Sequence, residues 1–112
     1  MKTIVVLITS ALLVISNCNK SDIAKGTPEC VQKKIKEFDK SSSCNDARVK
    51  EYLFQGKHVF VFEPGTCGAD MTSEVMDSGC STLGYLGGIS GNTKINGEEF
   101  STAMYVKIVW EK

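Results

Sequence analysis

Hydrophobic positions fall into four patterns along the chain. From Ile4 to Ile15 nearly every residue is apolar, broken only by Thr9 and Ser10, and no polar face recurs at helical spacing. Asn19 to Thr27 is polar and without period. Val31, Ile35 and Phe38 then stand at i, i+4 and i+7 between lysines and acids, which predicts an amphipathic helix of about three turns ending near Lys40. Thr27 is suited to N-capping it, Pro28 to its first position and Glu29 to its first turn. After a serine run the period changes to two. ARVKEYLF and HVFVFE flank Gln55-Gly56-Lys57 and predict a hairpin carrying Tyr52, Phe54, Phe60 and Phe62. Apolar residues of both parities occur here, so either both faces of the sheet are covered or one presents an exposed aromatic patch.

The remainder reads as shorter pieces. Residues 64–70 are a loop, Ser73–Met76 a short strand, and Asp77-Ser78-Gly79 a turn before Cys80–Leu83. Residues 84–97, GYLGGISGNTKING, are expected to be an ordered irregular loop pinned by Tyr85, Leu86 and Ile89. Residues 103–110, AMYVKIVW, form the last strand. The expectation is an α+β fold, in which an N-terminal amphipathic helix packs on a small antiparallel sheet of three to five strands. A folded part this small buries only about 60–65 % of its surface and benefits from covalent staples.

Cysteine usage supplies those staples and gives the head of the chain a meaning. There are five cysteines, at 18, 30, 44, 67 and 80. The apolar run of about 12 residues is too short to cross a bilayer, which takes about 20, and follows Lys2 as a signal-peptide core would. Ile15-Ser16-Asn17-Cys18 resembles a bacterial lipobox, in which an aliphatic and two small residues precede a cysteine that becomes the acylated N-terminus. That resemblance implies a signal peptide over 1–17, a lipidated N-terminus and flexible tether over 18–28, and one domain over 29–112. It also implies attachment to the bilayer of the bacterial envelope, as an outer-membrane lipoprotein, through acylated Cys18, about 0.8 kcal/mol being gained per buried CH₂.

With Cys18 so assigned, Cys30, Cys44, Cys67 and Cys80 can form two disulfides. Pairing by nearness in sequence, Cys30 with Cys44 and Cys67 with Cys80, would tie the helix to the start of the sheet and the loop to the third strand. All three connectivities remain open. No Cys-x-x-Cys or Cys/His cluster suggests a metal, and no cofactor is expected.

Charge and motifs exclude more than they assign. Acidic and basic residues number 13 each, and losing residues 1–17 removes only Lys2, leaving a net charge of −1 and no electrostatic case for nucleic acid. His58 is the only histidine and begins a strand. Gly88-Ile89-Ser90-Gly91-Asn92 misses the G-x-S-x-G nucleophile elbow at its last position, and its glycines spell no nucleotide-binding loop. Asn92-x-Lys94-x-Asn96-Gly97 imitates a calcium loop but puts a cation where a ligand belongs; Asp70 and Asp77 read as turn formers.

The order of features resembles a known set of proteins. Cys30 on a helix is followed by Y-x-F-x-G-K-x-V-F at 52–60, Cys67, Asp70, D-x-G at 77–79, Cys80, the glycine pair 87–88 and a terminal strand ending in Trp110. Together they resemble a family of small Bacteroidota lipoproteins with a domain of unknown function, over roughly residues 30–110. Relatives carry Cys-Cys-Asp where this chain reads Cys67-Gly68-Ala69-Asp70, and Asp-Gly where it has Asn92-Thr93. The first difference implies that Cys44 supplies the partner a neighbouring cysteine supplies in relatives. The resemblance implies location and fold, and no mechanism. The functional expectation is a non-enzymatic, lipid-anchored binding module for an envelope or extracellular protein, with Tyr52, Phe54, Phe60, Phe62 and Tyr85 as its candidate surface. The alternative is an inhibitor of an extracellular hydrolase, a lysozyme or protease, presenting residues 84–97.

Overall fold

The computed structural model describes residues 22–112. The assignments of residues 1–17 and of Cys18 lie outside them. Helix α1 (Glu29–Ser41) precedes β1 (Arg48–Phe54), β2 (Lys57–Glu63), β3 (Thr72–Asp77) and β4 (Thr82–Gly87). The two-residue strands β5 (Lys94–Ile95) and β6 (Glu98–Glu99), a 3₁₀ turn over Phe100–Thr102, and β7 (Met104–Glu111) complete the chain. Strands β4-β3-β2-β1-β7 form one sheet in that order, and every pairing is antiparallel. The fold is α+β, one helix packed with a five-stranded sheet.

Side-chain period explains why both faces of this sheet are dry. In β2, Phe60 and Phe62 point to the helix, and Val59 and Val61 to the other side. Beneath the helix, Val31, Ile35, Val49, Phe60, Phe62, Met76, Val109 and Trp110 form one core. Phe38 closes it edge-on, its ring 5.3 Å from Phe62 and 6.0 Å from Trp110. On the opposite face Phe54, Val59, Val61, Val75 and Ile95 form a second core, roofed by residues 92–103, which cross the sheet from the end of β4 to the start of β7. Of the two readings of the hairpin, covered faces and an exposed aromatic patch, the first holds.

The glycine-rich stretch is largely regular. Residues 84–87 complete β4, and Gly84 lies under Ile95, whose Cδ1 a Cβ there would approach to 3.0 Å. Asn96-Gly97, with φ of 51° and 78°, is a two-residue turn between β5 and β6, the same geometry that Gln55-Gly56 (52°, 78°) uses between β1 and β2.

The start of the domain also differs from expectation. Ala24 N donates to Val109 O (2.9 Å), Ile23 and Ala24 pack against the core, and Thr27 is buried. Residues 23–28, read as tether, therefore lie on the fold. Thr27 does not cap the helix: its hydroxyl donates back to Ala24 O (2.7 Å), and the side chain of Gln32 reaches Thr27 O (2.7 Å). At the other end Lys112 Nζ donates to Asp39 O and Ser42 O (2.9 and 3.0 Å), placing a cation on the carbonyl end of the helix.

Two disulfides fasten these layers, and neither joins nearest neighbours in sequence. Cys30 on the helix bonds Cys80 in the β3–β4 turn, and Cys44 bonds Cys67 in the loop after β2. Of the three connectivities left open, the local one, Cys30–Cys44 with Cys67–Cys80, is therefore not the one formed. The reason is that the antiparallel meander carries the β3–β4 turn back beside the helix, while residues 64–67 return beside the stretch before β1.

Candidate functional site

Burial separates the five residues expected to form a surface. Phe54, Phe60 and Phe62 are buried, and they belong to two different cores on opposite faces. Tyr85 is half exposed and pairs with Glu74, on the helix side of the sheet. Tyr52 lines a cleft on the face opposite the helix, whereas Phe62 borders a smaller one beside the helix. The structure therefore does not bring the five into one patch.

What gathers around Tyr52 is a different set. Its ring lies 5.1 Å from Phe100 and 5.7 Å from Tyr105, both edge-on, and Phe100 is 5.0 Å from Phe54. A cleft of about 430 Å³ opens here, walled by Tyr52, Leu86, Phe100 and Ala103 and rimmed by Asn92, Glu99 and Ser101. That size and lining suit a small ligand or an anchoring side chain. Burial raises the Tyr52 hydroxyl pKa above its ordinary value. Beside the cleft, Met104, Tyr105 and Val106 are 66, 53 and 43 % exposed. They lie on β7, an edge strand that, among the described residues, is covered on its outer side only where Ala24 meets Val109. An exposed apolar edge of this kind is a surface on which another chain can dock.

Sequence reasoning read residues 103–110 as a strand. It had no signal for an edge position, because edge or centre is set by which strands pair. Phe100 gave no period to follow, being in a 3₁₀ turn.

The other motif residues have structural employment. The side-chain amide of Asn92 donates to Tyr85 O and Lys94 O (2.7 and 2.8 Å), holding the roof to β4. Asp77 Oδ1 accepts from Gly79 N and Ser81 N (3.0 and 2.9 Å), shaping the turn that delivers Cys80. His58 Nδ1 lies 2.6 Å from Glu51 Oε2, and the nearby Ser78 hydroxyl donates to the His58 carbonyl at 3.5 Å. Ser90 lies beyond the opposite end of the sheet from His58, so the two make no catalytic pair. No group of three metal-ligating side chains occurs among the described residues.

The loop after β2 is held as firmly as a site but by its own groups. Asp46 accepts from the Thr66 backbone N–H (3.1 Å) and hydroxyl (2.6 Å). A Cβ on Gly65 would strike Asp46 and Cys44, and its φ is +107°. The Thr66 hydrogen bonds favour the charged carboxylate and hold Asp46 below its usual pKa. Because the folded-state pKa is the lower one, this contribution to stability is present above the unfolded pKa and lost as pH falls below about 4. Thr66→Val should raise the Asp46 midpoint in an NMR titration toward the ordinary value. An unchanged midpoint would show that these bonds do not set it.

No curated protein and no solved structure is detectably similar to the chain. A family model matches residues 33–112, from within α1 to the last residue, taking in every strand, the cleft and three of the four disulfide cysteines. By that match the chain belongs to the family described as a domain of unknown function (DUF6970).

Proposed function

We propose that this protein is a lipid-anchored, non-enzymatic binding module of the bacterial envelope, an outer-membrane lipoprotein of the Bacteroidota type. It is held to the bilayer by acylated Cys18 and offers the Tyr52–Phe100–Tyr105 corner to a protein partner. The observation that carries the reading is the cysteine pairing. Cys30, Cys44, Cys67 and Cys80 are all consumed in disulfides, leaving Cys18, behind its lipobox-like Ile15-Ser16-Asn17, as the odd cysteine. Disulfides fit an oxidising compartment, and an unpaired thiol there needs a modification or a partner. Asp22–Ala24 run beside Ile108–Glu111, whereas Met104 and Tyr105 lie toward the other end of β7. The anchored end and the apolar corner are then about 20 Å apart, at about 3.3 Å per strand residue, and the corner points away from the membrane.

The test is intact mass and non-reducing peptide mapping of the natively processed protein. A chain beginning at Cys18 with acyl chains attached is expected, and Cys18→Ala should move the protein from the membrane to the soluble fraction. An unacylated chain starting elsewhere would overturn the anchor.

A second reading, inhibition of an extracellular hydrolase, is favoured by Ile89. It stands 89 % exposed at the tip of a tight turn over residues 88–91, the part of the expected 84–97 loop that remains free to enter a cleft. Absence of inhibition of lysozymes and proteases at micromolar concentration would remove it.

A further inference from the structure

The anchored reading gives the Ile89 turn a specific neighbour. Gly87 pairs with Thr72 at one end of the sheet, and Arg48 pairs with both Glu63 and Glu111 at the same end. This row of residues therefore has β4 at one side and β7 at the other. The chain arrives at the β7 side, where Ala24 N donates to Val109 O and Asp22 and Glu111 line one groove. The turn over 88–91 projects beyond the β4 side. Of the exposed large hydrophobic residues among the described ones, Ile89 alone lies beyond this row.

The turn is built to display its apolar tip. Gly87 and Asn92 exchange both backbone hydrogen bonds (2.9 and 3.1 Å), Gly91 N donates to Gly88 O (3.1 Å), and Gly88 N is tied to Met71 O (3.2 Å). Gly87, Gly88 and Gly91 have φ of 83°, 79° and 64°, conformations that a side chain would strain. Residues 87–92, GGISGN, carry no charge, so nothing in the tip repels an anionic surface.

We infer that the Ile89 turn is a second membrane contact, entering the lipid interface beside the acylated Cys18. The inference rests on the anchored reading. From Cys18 to Asp22 the chain can span at most about 14 Å, so this end of the sheet stays close to the bilayer. Five spacings of about 4.8 Å, from β4 across the sheet to the segment outside β7, put the turn roughly 24 Å from where the chain arrives. A single tether leaves the domain free to pivot; a second contact at that distance sets its tilt and holds the Tyr105 corner outward. One isoleucine could not recruit a free protein to a membrane. On a chain already anchored, contact is intramolecular, and burying the side chain biases the docked orientation by about tenfold to a hundredfold.

The test uses the natively processed lipoprotein in vesicles of phosphatidylethanolamine and phosphatidylglycerol, with and without bromine on the acyl chains. Ile89→Trp places a reporter at the tip, and Lys57→Trp, exposed at the far end of the sheet, is the comparison; buried Trp110 contributes equally to both. Brominated lipid should quench the added fluorescence of Ile89→Trp and leave that of Lys57→Trp unchanged. No quenching at residue 89 in vesicle-bound, acylated protein overturns the membrane tip while leaving the anchor intact. Equal quenching at both positions overturns a preferred orientation. A protein with no acyl mass that fails to sediment with vesicles overturns the anchor and the tip together.

Discussion

Replacing Cys30 and Cys80 together with alanine is expected to destabilise the domain by about 4 kcal/mol, and replacing Cys44 and Cys67 together by about 3 kcal/mol. The difference follows from the lengths of chain they close, with separations of 50 and 23 residues. A longer closed loop removes more freedom from the unfolded chain, on the chain-entropy account of disulfide stabilisation. The longer link also spans two layers, joining the helix to the turn between β3 and β4, so its loss frees the helix to leave the sheet. Domains of this size are stable by only about 5–15 kcal/mol in total, so either change is a large fraction. Urea melts of the two double variants, with the other disulfide verified by mass, would measure both. A larger loss from the Cys44/Cys67 pair would show that the tie from the first core segment to the loop after β2, with Asp46 and Thr66 around it, outweighs the length of chain closed.

The parts of this fold that could be read in the sequence are those whose cause is local. Val31, Ile35 and Phe38 recur at the period of a helix because one face must be covered, and that face is buried or half-buried. Residues 48–63 alternate because each face of the hairpin meets a different core. The parts that could not be read depend on what the chain meets after folding. Cys80 pairs with Cys30 only because three antiparallel passes bring its turn beside the helix. Gly84 reads as loop and is strand, because it makes room for Ile95 across a pairing that no spacing announces. The candidate surface failed for the same reason. Aromatic content marks Phe60 and Tyr105 alike, but Phe60 is on a central strand under the helix and Tyr105 on an open edge. Asn96-Gly97 is a legible local signal, a strong hairpin turn pair that marks the turn between β5 and β6.

That contrast between Phe60 and Tyr105 leads to an experiment that separates core from surface. Phe60→Ala is expected to cost about 3–5 kcal/mol, the usual loss when a fully buried aromatic ring is deleted and the cavity only partly collapses. Phe60 is 1 % exposed, sits on the strand paired on both sides, and packs in the same core as Val31, Ile35 and Trp110. Its loss therefore loosens helix and sheet at once, and unfolding in urea should shift to much lower concentration. Tyr105→Ser removes a ring of similar size from a half-exposed position on the edge strand. It should change stability by less than about 1 kcal/mol, since only its edge contact with Tyr52 is given up. If Tyr105 serves the proposed binding corner, the same variant should instead lose cross-linking from that corner in the native envelope, where the wild-type chain gives a specific adduct. A small stability loss for Phe60→Ala would contradict the core beneath the helix. A large one for Tyr105→Ser would mean that the aromatic corner holds the roof over the second core, and its availability to a partner would then have to be given up.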